Sequence, residues 1–143
     1  MAIADISRIC FKIMKNQKYQ AENFFKSQGH ARNGIKLIFK NERNFRIDLI
    51  FAFLVVFAGL VLEISYTDWV ALSLVISMVF ISETVNSAIE ALCDTVSLEY
   101  KVNIKYAKDV SAGAVLVSAT VSVLTGLIVF FPYIIAFVKN IAE

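Results

Sequence analysis

The sequence predicts an all-α membrane protein: an N-terminal amphipathic surface helix followed by three transmembrane helices. Three observations predict it. Of the 143 residues, 58% are hydrophobic and the mean hydropathy is +0.68, far too apolar for an ordinary small soluble core. Long stretches carry few or no charges, and roughly 20 apolar helical residues suffice to cross about 30 Å of hydrocarbon. Finally, one proline and five glycines leave few places for a long helix to break. No internal repeat, low-complexity tract or linker marks a second domain.

The elements follow in order. Residues 1–20, where Ile3, Ile6, Ile13 and Met14 stand among charges, form an N-terminal extension. Asp5, Arg8 and Lys12 interrupt any signal-peptide core there, so no cleaved leader is expected. Residues 21–143 form the membrane domain, which opens with a surface helix over about 21–44. In it Ile35, Ile38, Glu42 and Phe45 follow i, i+3, i+7 and i+10, with Phe39 alongside, while Lys26, Arg32, Lys36, Lys40 and Arg43 occupy much of the rest. An apolar stripe flanked by cations suits a helix lying in the membrane interface, where it could serve only as an anchor to anionic lipid. Glu42 departs from that pattern, because a carboxylate on the apolar stripe should seek a partner inside the bundle.

The first span covers about residues 45–65, built on the apolar run Leu49–Leu62. The second covers about 68–96, and reaches spanning length only if the run from Trp69 to Ser82 continues through the acidic stretch to Cys93. The third covers about 107–138, with no charged side chain from Val110 to Val138. Orientation follows from the cations. Residues 1–46 hold ten of the fourteen Lys and Arg against three acids; the link from Glu63 to Asp68 has none; the next link adds Lys101, Lys105 and Lys108. The N-terminus is therefore expected in the cytoplasm and the C-terminus outside, with Lys139 a lone exception. Cys10 and Cys93 have no metal-ligand spacing and fall on the reducing side, so neither a disulfide nor a metal thiolate is expected.

The chemistry gathers in SETVNSAIEALCD, residues 82–94. Glu83, Asn86, Glu90 and Asp94 step by 3, 4 and 4, so at about 100° per residue they share one face of the second span. Each carboxylate in a membrane helix is costly, and such groups face protein, water or a bound ion. Asp94 and Glu99 suit a hydrated rim where Lys101, Lys105 or Lys108 could pair with them. Glu83 and Glu90, together with Asn86, suit function. Carboxylates beside lysines, without His or Cys ligands, fit a hard divalent cation such as magnesium, which takes few carboxylates and completes its octahedron with phosphate oxygens. Lys108 and Asp109 begin the third span at the same depth. Phosphoryl transfer draws on this inventory: metal and lysine neutralise charge while a carboxylate takes the proton of the attacking hydroxyl. Neither a GxxxxGKS/T loop nor a GxGxxG loop is present, so a nucleotide would be held by other means.

These residues resemble a known family. ETVNSAIEALCDTVSLEY, followed by YAKDVSAGAVLVSA, is similar to the prokaryotic diacylglycerol kinase pattern E-x-x-N-S/T-A-I/V-E-x-x-x-D and then A-K-D-x-x-A/S-A/G-A-V, and NERNFRID (41–48) looks like its N-E-x-x-F-R segment. The three blocks occur in family order and the resemblance covers about residues 26–138. It implies a small homotrimeric enzyme of the bacterial inner membrane that phosphorylates a lipid alcohol with MgATP. It also implies roles: Glu83 as proton acceptor; Glu42 and Glu90 as magnesium ligands; His30, Glu42, Asn86, Glu90, Asp94, Glu99, Lys108 and Asp109 around ATP; and Arg46 beside Glu83 at the lipid. His30 stands where the family often has an aromatic residue, and Asn23 where it has a basic one, which leaves the adenine end least defined. His30 could equally be a solvated helix residue. Diacylglycerol and undecaprenol both offer a primary hydroxyl at the membrane surface, and ERNFRI looks more like the undecaprenol-type branch of Gram-positive bacteria.

Two other classes share the composition. A small ion or proton pathway would also carry carboxylates within a span, but here they gather at one rim. A structural helical protein without activity would have no use for so costly a stripe. No nucleic-acid partner is expected.

Overall fold

The computed structural model describes residues 24–96 and 101–142, so the extension over residues 1–20, Cys10, Asn23 and Glu99 lie outside the described residues. The elements are four α-helices: α1 Phe24–Asn41, α2 Arg43–Val61, α3 Tyr66–Val96 and α4 Val102–Ala142. Three stretches, Arg43–Val61, Tyr66–Val96 and Val102–Asn140, are long and apolar enough to cross a membrane. The protein is an all-α membrane protein, as its composition predicts. At 1.5 Å per residue α3 is about 46 Å long and α4 about 60 Å, well beyond the ~30 Å of hydrocarbon; their polar ends therefore have length to spare outside it.

The chain divides between Lys36 and Leu37 into two units. In the first, the described part is α1 up to Lys36, on which His30 is exposed. The second holds the end of α1 and the three long helices.

Sequence periodicity carries one helix through to Phe45, yet the backbone breaks at Glu42, whose φ of −93° and ψ of 116° are extended. Neither glycine nor proline marks the break. Arg46 supplies its physical basis: its Nη1 donates to the carbonyls of Phe39 at 3.1 Å and Lys40 at 2.8 Å. These are among the last carbonyls of α1, which lack intrahelical partners, and a cation at a helix C-terminus is also favoured by the dipole. Glu42 N–H closes α1 on Ile38 O at 2.8 Å, and α2 starts one residue later.

The turn from α2 to α3 is equally tight. Leu62 N–H bonds Ala58 O at 2.9 Å and Ile64 N–H bonds Gly59 O at 3.2 Å, around Glu63 in the left-handed region at φ 50°. This is a Schellman ending with glutamate where glycine is usual. Gly59 itself is needed: a β-carbon there would lie 2.9 Å from Trp69 Cη2 and 3.0 Å from Ile64 Cδ1. At the same end Ile64, Leu72 and Val129 form the buried core, covered by Val55, Leu62, Trp69, Phe130 and Tyr133. Tyr133 on α4 closes the corner, its hydroxyl accepting Ser65 N–H at 2.9 Å and donating to Asp68 Oδ2 at 2.6 Å. Pro132 sits inside α4 without ending it.

Candidate functional site

Away from that apolar corner, the α3–α4 contact turns polar. Ser82 and Ser118 hydroxyls meet at 2.7 Å. The next residue of α3 is Glu83, only 2% exposed, and one turn beyond Ser82 lies Asn86, 8% exposed. Glu90 is half-buried and Asp94 exposed. The stripe expected from 3-4-4 spacing is therefore graded, with its driest carboxylate innermost and its wettest at the rim.

The polar contacts run along this stripe. Asn86 Nδ2 donates to Glu90 Oε1 at 3.2 Å, and Ser111 Oγ on α4 donates to Asn86 Oδ1 at 2.7 Å. At the rim Lys108 Nζ pairs with Asp94 Oδ1 at 2.5 Å. Of the three lysines considered for that rim, Lys108 is the one bound to Asp94. Asp109 is exposed beside it.

α2 supplies the remaining wall. Phe45 and Phe80 stack with centroids 5.2 Å apart and planes inclined by 52°, a tilted pair that seats the start of α2 on α3. As a result the side chain of Asn44 hydrogen-bonds Glu83, while Asp48, Glu42 and Glu90 lie close enough to act on its carboxylate through space. Three acids thus act on Glu83 from a distance. A site of this kind has electrostatic reason to attract a divalent cation.

The donors present, Glu42 and Glu90 with Asn86 beside them, are all oxygen ligands or amides, the chemistry magnesium prefers. Among the described residues no three acidic, His or Cys side chains converge into a ready-made metal cage.

From Asp48 an apolar groove of about 740 Å³ runs between α2, α3 and α4, past Phe51, Val79 and Phe80 towards Leu127 and Phe131. Asp48 is its one acidic residue.

Of the expected site residues, Glu42, Glu83, Asn86, Glu90, Asp94, Lys108 and Asp109 fall in one unit, with Asn86 bonded to Glu90 and both Glu42 and Glu90 within electrostatic reach of Glu83. Arg46, expected at the lipid, spends its guanidinium on the α1 carbonyls. His30 belongs to the first unit, and Glu99 lies outside the described residues. Sequence reasoning missed Asn44, Asp48 and Ser111. An acid within the first span was the available signal for Asp48; Ser111, three residues after Lys108, shares its face of α4, a spacing that could have drawn notice.

Residues 29–130 match the family model for prokaryotic diacylglycerol kinase. The chain belongs to the prokaryotic diacylglycerol kinase family. Its relatives within reach include a protein named undecaprenol kinase from Bacillus subtilis, 36% identical over 118 residues, covering 82% of this chain and 96% of that one. A diacylglycerol kinase of Synechocystis sp. is 34% identical over 121 residues, 84% of this chain and 69% of that protein. The Escherichia coli diacylglycerol kinase is 30% identical over 120 residues, 84% and 98% respectively. Membership of the prokaryotic diacylglycerol kinase family makes the chain an enzyme, a membrane phosphotransferase of the lipid-kinase type.

Proposed function

We propose that the protein transfers the γ-phosphate of MgATP to the primary hydroxyl of a membrane lipid, undecaprenol ahead of diacylglycerol, with Glu83 as the base. One observation carries this: Glu83, only 2% exposed, lies within electrostatic reach of Asp48, the acidic residue that lines the apolar groove. A lipid chain lying in that groove brings its hydroxyl to the carboxylates, and the fixed geometry supplies proximity. The hydroxyl oxygen attacks the γ-phosphorus, the bond to the β-phosphate bridging oxygen breaks, and ADP leaves. The hydroxyl proton passes to Glu83 Oε.

Glu42 and Glu90 would hold magnesium, which supplies neutralisation of the phosphate charge as it spreads. Lys108 contacts phosphate after exchanging its Asp94 partner, and Asn86 orients Glu90. Asp94, Asp109, Glu99 and His30 complete the nucleotide surroundings, and Arg46 braces the α1–α2 junction next to the lipid. The N-terminus faces the cytoplasm across a bacterial inner membrane, as the cation bias supports, and the working unit is a homotrimer whose neighbouring copies contribute to each site. The preference for undecaprenol rests on ERNFRI together with the higher identity to the relative named for it.

An ion pathway is less well supported, because beyond Ser82 and Ser118 the contact between α3 and α4 becomes the apolar core of Leu72 and Val129, which offers no relay. The test is to purify the protein in detergent, supply labelled MgATP, and offer diacylglycerol and undecaprenol separately. Phosphorylated undecaprenol is expected; absence of product from both lipids would sink the kinase reading.

A further inference from the structure

We propose that Ser111 is a positioning residue for the reaction: its hydroxyl fixes the Asn86 amide and, through that amide, the carboxylate of Glu90. The proposal rests on the function proposed above for Glu90, and it concerns a residue outside the roles carried over by resemblance. Its starting point is the asymmetry of an amide. The two ends of Asn86 have nearly the same shape but opposite hydrogen-bonding character. An ionised Glu90 oxygen can only accept, so Nδ2 must face it, as it does at 3.2 Å. That choice sends Oδ1 across the helix interface to α4.

Asn86 is only 8% exposed, so Oδ1 needs a donor from the protein. Ser111 supplies it at 2.7 Å and is itself 7% exposed. The single proton of that hydroxyl has a second acceptor on its own helix, the carbonyl of Lys108 at 2.9 Å, and is shared between the two. One hydroxyl therefore couples the turn of α4 that presents Lys108 to the face of α3 that presents Glu90. Without it, a buried carbonyl is left unpaired, and rotation of the amide would turn Oδ1 towards a carboxylate that repels it. Glu90 then loses the N–H that holds Oε1, and the ligand is free to turn away from its metal. This is how residues behind a ligand tune a metal site.

The test uses full-length protein in lipid vesicles and compares the unaltered chain with Ser111→Ala, Ser111→Thr and Ser111→Val; threonine and valine differ only by hydroxyl against methyl. Two quantities are read: the magnesium dependence of turnover, and Mn²⁺ binding by electron paramagnetic resonance with a non-hydrolysable ATP analogue present. Ser111→Ala and Ser111→Val should raise the half-saturating magnesium concentration about tenfold and weaken Mn²⁺ binding in parallel. Turnover at saturating magnesium should change much less. Ser111→Thr should stay close to the unaltered chain in both readouts. Ser118→Ala, which removes the other buried serine of this interface, should leave both unchanged and so controls for packing. Unchanged metal dependence in Ser111→Ala, equal losses in the threonine and valine variants, or the same loss in Ser118→Ala would each overturn the proposal. So would failure of both the alanine and valine variants to fold, which would assign the hydroxyl to helix packing. If the unaltered protein phosphorylates neither lipid, the proposed function fails, while the Mn²⁺ comparison still decides the role of Ser111.

Discussion

Tyr133 on α4 donates its hydroxyl to Asp68 on α3 at 2.6 Å, across 65 residues of sequence. The same oxygen accepts the backbone N–H of Ser65 at 2.9 Å, and Ser65 Oγ donates to Asp68 Oδ2 at 2.7 Å. A serine followed three residues later by an acid is the pattern of a capping box, in which the acid reaches back to the serine N–H. Here the tyrosine hydroxyl is interposed between the two and carries that link. Tyr133→Phe should therefore lower the thermal midpoint by roughly 2–6 °C. Turnover at a permissive temperature should be unaffected, since the corner lies at the far end of α3 from Glu83.

Glu83→Gln keeps the shape of the side chain but can neither take a proton nor carry charge. Turnover should fall at least about 100-fold. The fold should remain, and the thermal midpoint should not drop, because the substitution removes a charge from beside Asp48, Glu42 and Glu90. Rates with labelled ATP and a melting curve on the same preparation check both statements.

Glu90→Gln should leave the protein folded and raise the magnesium requirement by about tenfold or more. Glutamine still accepts from Asn86 Nδ2, so a metal titration distinguishes loss of the ligand from loss of the hydrogen bond.

Gly59→Ala forces a β-carbon to within 2.9 Å of the Trp69 ring, and overpacking of this kind costs about 1–3 kcal/mol. Glu63→Gly, four residues on, should act in the opposite direction by about 1 kcal/mol, since φ 50° suits glycine better than glutamate. Unfolding in detergent measures both; equal signs would contradict the turn geometry.

These residues also mark how far the sequence can be read. The stripe of Glu83, Asn86, Glu90 and Asp94 is legible because helical spacing is a local property and α3 does run unbroken to Val96. The three spans are legible for the same reason, being set by composition over a window. The break at Glu42 is not, because hydrophobic periodicity continues straight through it and the group that permits it, Arg46, acts on carbonyls six and seven residues back. The turn at Glu63 lacks the glycine that would announce it. Asp48 beside Glu83, Ser111 behind Asn86 and Tyr133 under Asp68 all depend on helices meeting at distances of tens of residues, which no local pattern encodes.

The groove that begins at Asp48 is walled by Phe51, Leu127 and Phe131, side chains that are themselves exposed on helices of membrane-crossing length. Its occupant would arrive sideways, within the leaflet, without leaving oil for water. The quantity that sets the rate is then the mole fraction of alcohol in the bilayer, and diluting it with inert lipid should slow the enzyme even when its bulk concentration is unchanged.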